Sequence, residues 1–196
     1  MTLQYETKND IVFLTGGKGA GKSTVCIRAA ELAKKRGYSC AGIASPALFD
    51  ENGEKIGFQA EDLATGWRWV LGHRTRRRKG PRYGPFRFSA KGFRKAVRSV
   101  RRSLRQGSDL FVLDEIGPLE LERGGGFFPL LEPLYKERNA ALLLVVRPSL
   151  LDAVRAAVQG RRTCVLDTDP SGRDRLPERI LELLGLCEIG QFTSAE

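Results

Sequence analysis

Cysteine, histidine and long apolar runs are all scarce in this sequence of 196 residues. The four cysteines, Cys26, Cys40, Cys164 and Cys187, stand singly with no CxxC pair, so neither a zinc site nor a disulfide framework is expected. The one histidine, His73, lies in a basic segment and is interpreted as solvated rather than catalytic. No stretch approaches the roughly 18 apolar residues that span a bilayer, and the amino-terminal residues lack the pattern of a signal peptide. We therefore expect a soluble cytoplasmic protein with reduced, buried cysteines and no membrane partner.

Acidic residues are absent between Arg68 and Arg105, although this stretch contains fifteen Lys or Arg. The net charge of the whole chain is +10 at pH 7. Outside the stretch, the chain contains 18 basic and 23 acidic residues, so the rest of the chain is net negative. A polyanionic partner can therefore be argued only for this basic block.

Apolar runs of strand length alternate with segments of helical period, a pattern typical of a parallel sheet covered by helices. Strands are predicted at 11–15, 39–44, 109–114, 140–146 and 163–166, and helices at 23–36, 89–105, 127–137, 149–158 and 176–184. An Asn-Gly turn at Asn52-Gly53 predicts an antiparallel hairpin. We expect one α/β domain over residues 1–196, a three-layer P-loop sandwich with a mostly parallel sheet, in which 45–88 insert a hairpin and a basic loop.

A glycine-rich segment follows the first predicted strand. It runs Gly16-Gly17-Lys18-Gly19-Ala20-Gly21-Lys22-Ser23, fits GxxxxGK[ST] completely and continues with Thr24. Glycines let backbone N–H groups approach phosphate oxygens at the positive end of the following helix. Lys22 is expected to reach the β and γ phosphates, and the Ser23 hydroxyl to bind Mg²⁺. All residues from Gly16 to Thr24 are thus predicted to bind nucleotide, although a lysine at the position of Lys18 is more often solvated.

Asp114 and Glu115 follow the apolar run Leu110-Phe111-Val112-Leu113. An acidic residue at the carboxyl end of a core strand, beside a P-loop, is placed to hold the magnesium shell, and Asp114 takes this role. Glu115 would orient and deprotonate the attacking water. The alternative is that both residues only begin a polar loop. The predicted catalytic residues are therefore Glu115 and Lys22, the predicted metal residues are Ser23 and Asp114, and the cofactor is Mg²⁺.

Four segments together resemble the small P-loop nucleoside triphosphatases first described from thermophiles and also found in animals as a cancer-related nucleoside triphosphatase. They are GGKGAGKST, ENGEKIGFQAEDLATG, LFVLDEIGPLEL and GRDRLPERILELL, in the family's order. The resemblance implies slow, magnesium-dependent hydrolysis of several nucleoside triphosphates with loose base selectivity. The family roles fall on Gly21, Lys22, Ser23, Asp114 and Glu115. The sequence departs from the family at Pro118 and Leu119, where Lys and Met are usual, so a phosphate contact from that lysine is absent.

Three arginines outside the P-loop are candidates for neutralising phosphate charge. Arg173 and Arg175 lie in a part of the family pattern that is near the nucleotide, and solvated charges at a helix start are the equal alternative. Arg147 follows a predicted parallel strand and would then face the same sheet edge. Of the three, Arg173 is included among the expected nucleotide contacts.

Three functions remain open at the level of sequence. Hydrolysis is favoured because Glu115, a base for water, directly follows Asp114. In a phosphotransferase, the segment 74–87 would close over the phosphates as a lid. A nucleotide-dependent nucleic-acid-binding protein would use the basic helix with Trp67, Trp69, Tyr83, Phe86 and Phe88, although aromatics spaced two apart more often pack one strand face.

The lid is the favoured explanation of the basic block. Its segment combines charge with Gly80, Pro81, Gly84 and Pro85, whereas the helix from Ser89 has an ordinary buried stripe that accounts for its pattern. A GTP-specific switch is disfavoured because no NKxD or TKxD sequence follows Asp114. The sequence specifies neither the base nor the oligomeric state.

Overall fold

The computed structural model of the protein describes residues 8–74, 82–169 and 172–187. The sheet within these residues contains ten strands, at Ile11–Thr15 (β1), Cys40–Ala44 (β2), Ala47–Phe49 (β3), Lys55–Asp62 (β4), Arg68–His73 (β5), Arg82–Tyr83 (β6), Phe86–Phe88 (β7), Leu110–Ile116 (β8), Ala141–Val146 (β9) and Thr163–Asp167 (β10). The α-helices of the same residues are Lys22–Lys35 (α1), Ala90–Gln106 (α2), Pro118–Leu121 (α3), Phe128–Lys136 (α4), Leu151–Ala157 (α5) and Leu176–Leu183 (α6). None of these helices is both long and apolar enough to cross a bilayer.

The strands form one mixed sheet in the order β10-β1-β9-β8-β2-β4-β5-β7-β6, with β3 paired to β4. The five strands from β10 to β2 are parallel to one another. From β4 outward the pairing is antiparallel. The α/β fold with an antiparallel hairpin excursion is therefore confirmed, and the excursion extends the parallel sheet at one edge.

The parallel strands are buried on both faces, which explains their unbroken apolar runs. Along β1, Ile11 and Phe13 pack into one core layer, whereas Val12 and Leu14 pack into the other. The first layer is covered by α2, α4 and α5, and the second by α1 and α6. This is the expected three-layer sandwich, and it leaves the carboxyl ends of the parallel strands along one edge of the core.

Strand β8 and the residues after it differ from the expectation. The strand does not end at Asp114 but runs to Ile116, with a register shift against β9 between Leu113 and Ile116. The segment 115–126, between the predicted strand 109–114 and the predicted helix 127–137, contains the short helix α3, because Pro118 at its first turn is already restricted to a helical φ. The predicted helix 149–158 likewise begins as a 3₁₀ turn at Pro148–Leu150.

Candidate active site

The predicted P-loop connects β1 to α1 at the carboxyl edge of the parallel strands. Gly16 has a φ of +132°, and a Cβ atom there would lie 2.8 Å from the Thr168 carbonyl oxygen. Gly21, with a φ of +93°, has no room for a Cβ either, because one would lie 2.6 Å from Cδ of Arg173. Backbone conformation therefore favours glycine at both positions, and the neighbouring backbone of Thr168 also requires it at Gly16.

The start of α1 has the properties of an anion site. Its N-cap residue, Gly21, supplies no side-chain hydrogen bond, and no acidic residue lies in the first turn. The first backbone N–H groups of a helix have no intrahelical partner, and the helix dipole favours negative charge there. A phosphate group would satisfy both conditions.

Lys22 folds back over the loop that precedes it. Its ammonium group donates hydrogen bonds to the carbonyl oxygens of Gly16, at 2.8 Å, and Gly17, at 2.6 Å. The positive charge is thus held within the glycine-rich turn. Lys18 and Thr24, by contrast, are exposed, and nothing in their placement singles them out from solvated side chains.

Ser23 and Asp114 meet beside the P-loop through Ser45, which follows β2. The Asp114 carboxylate accepts a hydrogen bond from the Ser45 backbone N–H at 2.8 Å, and the Ser45 hydroxyl donates to the Asp114 carbonyl oxygen at 3.2 Å. The Ser23 hydroxyl donates a hydrogen bond to the Ser45 carbonyl oxygen at 3.3 Å. Sequence analysis missed Ser45, whose only signal was a small polar residue after a core strand.

Burial dominates the electrostatics of Asp114. Its side chain is 3% exposed, and this burial raises the pKa of the carboxyl to about 6, against the hydrogen bonds from Ser23 and Ser45 that lower it. A cation beside the carboxylate would oppose the effect of burial. The paired oxygen donors of Ser23 and Asp114 fit Mg²⁺, which takes oxygen ligands and usually only one or two protein carboxylates together with phosphates. No cluster of three or more His, Cys, Asp or Glu side chains able to hold a metal occurs among the described residues.

Glu115 adopts an uncommon backbone conformation. Its φ is +83°, and among the described residues it is the one non-glycine residue with a positive φ. Its half-exposed side chain forms an ion pair with Arg147, with Nη2 and Oε1 separated by 3.3 Å. This conformation directs the Glu115 carboxylate away from strand β8 and toward solvent. The preceding residue, Asp114, stays buried. Arg147, which sequence analysis placed on this edge, therefore lies at Glu115.

Glu120, which sequence analysis did not consider, closes the segment that follows Glu115. Its carboxylate is 3% exposed and accepts hydrogen bonds from the N–H groups of Gly117, at 3.0 Å, and Phe127, at 3.2 Å. A Cβ atom on Gly126 would lie 2.0 Å from Oε1, so the chain passes as close to this carboxylate as glycine allows. Burial raises the pKa of Glu120 to about 7, although both hydrogen bonds lower it.

The remaining predicted residues have separate placements. Arg173 lies against Gly21 of the P-loop, whereas Arg175 is exposed. The expectation that His73 is solvated is wrong, because it is 6% exposed and lies on β5 between Gly57 of β4 and Arg87 of β7.

The aromatic residues divide into packed and exposed ones. Phe86 and Phe88 pack edge-on against Phe58, as their spacing suggested. Trp69 packs against the core, but Trp67 is 67% exposed, because it precedes β5 and lies in the turn rather than on the strand face. Residues 75–81, the centre of the predicted lid, lie outside the described residues.

The chain is similar to a known protein family and to several of its members. The family model described as NTPase matches residues 11–181. The nucleoside-triphosphatase THEP1 of Methanopyrus kandleri is 31% identical over 172 residues, which are 87% of this chain and 93% of the relative. THEP1 of Methanosarcina acetivorans is 34% identical over 86% of this chain and 93% of its own length.

Two solved structures share the fold. The crystal structure of THEP1 from Aquifex aeolicus has a TM-score of 0.66 at 20% identity and covers 89% of this chain and 98% of its own. The solution structure of a human cancer-related nucleoside triphosphatase has a TM-score of 0.68 at 21% identity, with 94% and 98% covered. Both similarities extend over most of this chain.

Proposed function

Because this chain belongs to the NTPase family, in which its relatives are THEP1 nucleoside triphosphatases, we propose that it hydrolyses nucleoside triphosphates to diphosphates and phosphate with Mg²⁺ as cofactor. The observation that carries the proposal is that the Ser23 hydroxyl and the buried Asp114 carboxylate are both hydrogen-bonded to the backbone of Ser45. This arrangement supports the proposal because it brings two oxygen donors suited to Mg²⁺ to the start of the P-loop helix, and Glu115 follows Asp114 in the chain.

Substrate binding is assigned to the P-loop. The N–H groups from Gly16 to Ser23 surround the β-phosphate, and Lys22 exchanges the carbonyl oxygens of Gly16 and Gly17 for β- and γ-phosphate oxygens. Arg173, against Gly21, adds a second positive charge beside the phosphates. Ser23 and Asp114 would hold Mg²⁺, which when bound neutralises charge on the β- and γ-phosphate oxygens.

The chemical step is assigned to Glu115. Its carboxylate orients a water molecule and accepts its proton while the water oxygen attacks the γ-phosphorus. The bond between the γ-phosphorus and the bridging oxygen breaks, and the diphosphate leaves with the electron pair. Arg147 fixes the direction of the Glu115 side chain, and Glu120 fixes the backbone of the segment that follows it.

Loose base selectivity belongs to the same proposal. The P-loop contacts expected here involve phosphates, which all nucleoside triphosphates share, and no guanine-reading NKxD or TKxD sequence follows Asp114. We therefore expect similar turnover of purine and pyrimidine triphosphates.

The decisive experiment measures phosphate release from ATP, GTP, CTP and UTP, with Mg²⁺ or with a chelator, for the wild type and Glu115→Gln. The variant keeps the size of the side chain but lacks the base, so hydrolysis should fall roughly 10²-fold or more while nucleotide binding remains. Glu122→Gln, at an exposed position of the same segment, is the matched control and should hydrolyse normally. Undiminished hydrolysis by Glu115→Gln would remove Glu115 from this role, and phosphate transfer to an added nucleoside in place of release to water would favour a phosphotransferase.

A further inference from the structure

Helix α2 presents a dense positive surface to solvent. Its exposed side chains include Lys91, Arg94, Lys95, Arg98, Arg101, Arg102 and Arg105, and the helix contains no acidic residue. None of these seven forms an ion pair with another described residue; Arg101 donates a hydrogen bond to the Pro129 carbonyl oxygen. Like charges three and four residues apart on a helix repel one another. This uncompensated charge is unexplained by the fold.

The apolar side of α2 packs against the core. Ala96 and Val100 are buried, and Phe93, Val97 and Leu104 pack against the same layer. The buried stripe explains the apolar residues of the helix but not its unpaired cations. Because the apolar side chains of α2 pack against the core, they form no separate face that could enter a bilayer. A partner outside the domain therefore meets only the positive charge of this helix.

One row of the cations borders the turn between β4 and β5. The Ser99 hydroxyl donates a hydrogen bond to the Asp62 carboxylate at the end of β4. By helical geometry, four cations lie next to Ser99 on the exposed side of the helix, at steps of three and four residues. They are Lys91, Lys95, Arg98 and Arg102. At 1.5 Å per residue the row is about 16 Å long.

The same Asp62 holds the backbone of the turn that carries the exposed Trp67. Asp62 is 1% exposed; its carboxylate accepts a hydrogen bond from the Ala64 N–H at 2.9 Å, and its own N–H donates to the Trp67 carbonyl oxygen at 2.9 Å. One buried carboxylate therefore fastens the turn to the helix. Trp67 follows this turn directly, and its side chain is 67% exposed.

We propose that the row Lys91, Lys95, Arg98 and Arg102, together with Trp67, binds single-stranded nucleic acid. The cations pair with successive phosphates, and the indole stacks on an unpaired base. A duplex presents no free base face to Trp67, and an acidic polypeptide has none, so the aromatic residue selects a single strand. The surface is separate from the hydrolysis site, because α2 covers the opposite face of the sheet from the P-loop helix α1.

The test titrates the intact protein with a fluorescently labelled oligothymidylate of about 15 nucleotides, a length within the usual range of such sites. We expect binding whose log affinity falls with log salt at a slope of about −3, from about −0.7 for each of four phosphate contacts. Lys95→Ser/Arg102→Ser should make the slope less steep by about 1.4 and weaken binding by about tenfold or more at low salt. Trp67→Ala should weaken binding severalfold, and Trp67→Phe should largely restore it.

The matched control is Arg138→Ser/Arg155→Ser, which removes two exposed cations from other parts of the surface and should leave the affinity nearly unchanged. Phosphate release from ATP should be unaffected in all these variants, which shows that they are folded. Equal losses in the control pair and the α2 pair would overturn the proposal, since binding would then follow net charge alone. Tighter binding of duplex DNA or of polyglutamate, or no effect of Trp67→Ala, would overturn it as well.

Discussion

Glu115 combines a strained backbone with the proposed chemistry. A left-handed conformation costs an L-residue with a side chain about 1–2 kcal/mol, and its φ is +83°. The exposed ion pair with Arg147 offsets little of this conformational free energy. Strain of this kind persists where the surrounding structure holds it and is typical of functional positions. Here the fold gives up stability to point a carboxylate out of a core strand.

Comparison of Glu115→Ala with Glu115→Gly isolates this strain. Both variants lack the carboxylate and should be inactive, but only glycine adopts the positive φ without a steric cost. We expect the glycine variant to be more stable than the alanine variant by about 1 kcal/mol in urea unfolding. Greater stability of the alanine variant would contradict a left-handed conformation at this position.

At the scale of one element, Glu120 and the segment 117–127 form a closed unit. The carboxylate joins the N–H groups at the two ends of the segment, so its charge state bears on the loop behind Glu115. Its pKa is raised from the ordinary 4.5 to about 7 by burial. The native state therefore binds more protons than the unfolded state between these two pH values.

Glu120→Gln tests this linkage. Because the native carboxyl takes up a proton more readily, wild-type stability falls as pH rises from 4.5 through 7. The Gln variant does not titrate, so the wild type should lose about 2 kcal/mol relative to it across this window. Urea unfolding at several pH values measures the difference, with Glu122→Gln as an exposed control. A difference that stays constant with pH would refute the assignment.

The basic segment 74–87 is the second element with a predicted role. Its centre lies outside the described residues, so the lid stays a prediction based on sequence. Replacing Arg76, Arg77 and Arg78 with Ser should change kcat and KM for ATP together, because a lid affects both closure and binding. Unchanged steady-state kinetics in a folded triple variant would exclude the lid.

At the scale of the whole molecule, the parallel half of the sheet assembles the site. The strands β1, β8, β9 and β10 are neighbours in space, although 163–167 are far from 11–15 along the chain. Their carboxyl ends bring together the P-loop, Asp114, Arg147 and the segment before Arg173. Nucleotide binding to this edge should therefore stabilise the entire domain.

Ligand-dependent unfolding measures that coupling. ATP with Mg²⁺ at about 100 times its Kd should raise the free energy of unfolding by about 2.7 kcal/mol. Lys22→Ala should lose most of this gain, together with turnover, because the ammonium charge on the β and γ phosphates is gone. Lys35→Ala, in the last turn of the same helix, should retain both. A full ligand-induced gain in Lys22→Ala would place the phosphates elsewhere.

Local pattern was sufficient for much of the fold and for the centre of the site. Core strands such as Ile11–Thr15 and Ala141–Val146 are buried on both faces, so their apolar runs are visible without any contact being known. The glycines before Lys22 could be interpreted from sequence because the backbone conformation of a turn depends on residues adjacent in the chain. The same locality placed Asp114 and Glu115 at the end of an apolar run, although the strand itself extends two residues further.

By itself, then, the sequence determined the α/β architecture, the P-loop and the acidic pair, because each depends on residues adjacent in the chain. Only the tertiary structure decided that Ser45 holds Asp114, that Arg173 covers Gly21, that Glu120 joins Gly117 to Phe127, and that Asp62 joins the turn after β4 to Ser99 of α2. Three of these four join residues more than 35 positions apart in the chain, and the fourth closes a loop of irregular backbone. Their physical basis is the order of strands in the sheet and the close packing of turns against it, which no local periodicity encodes.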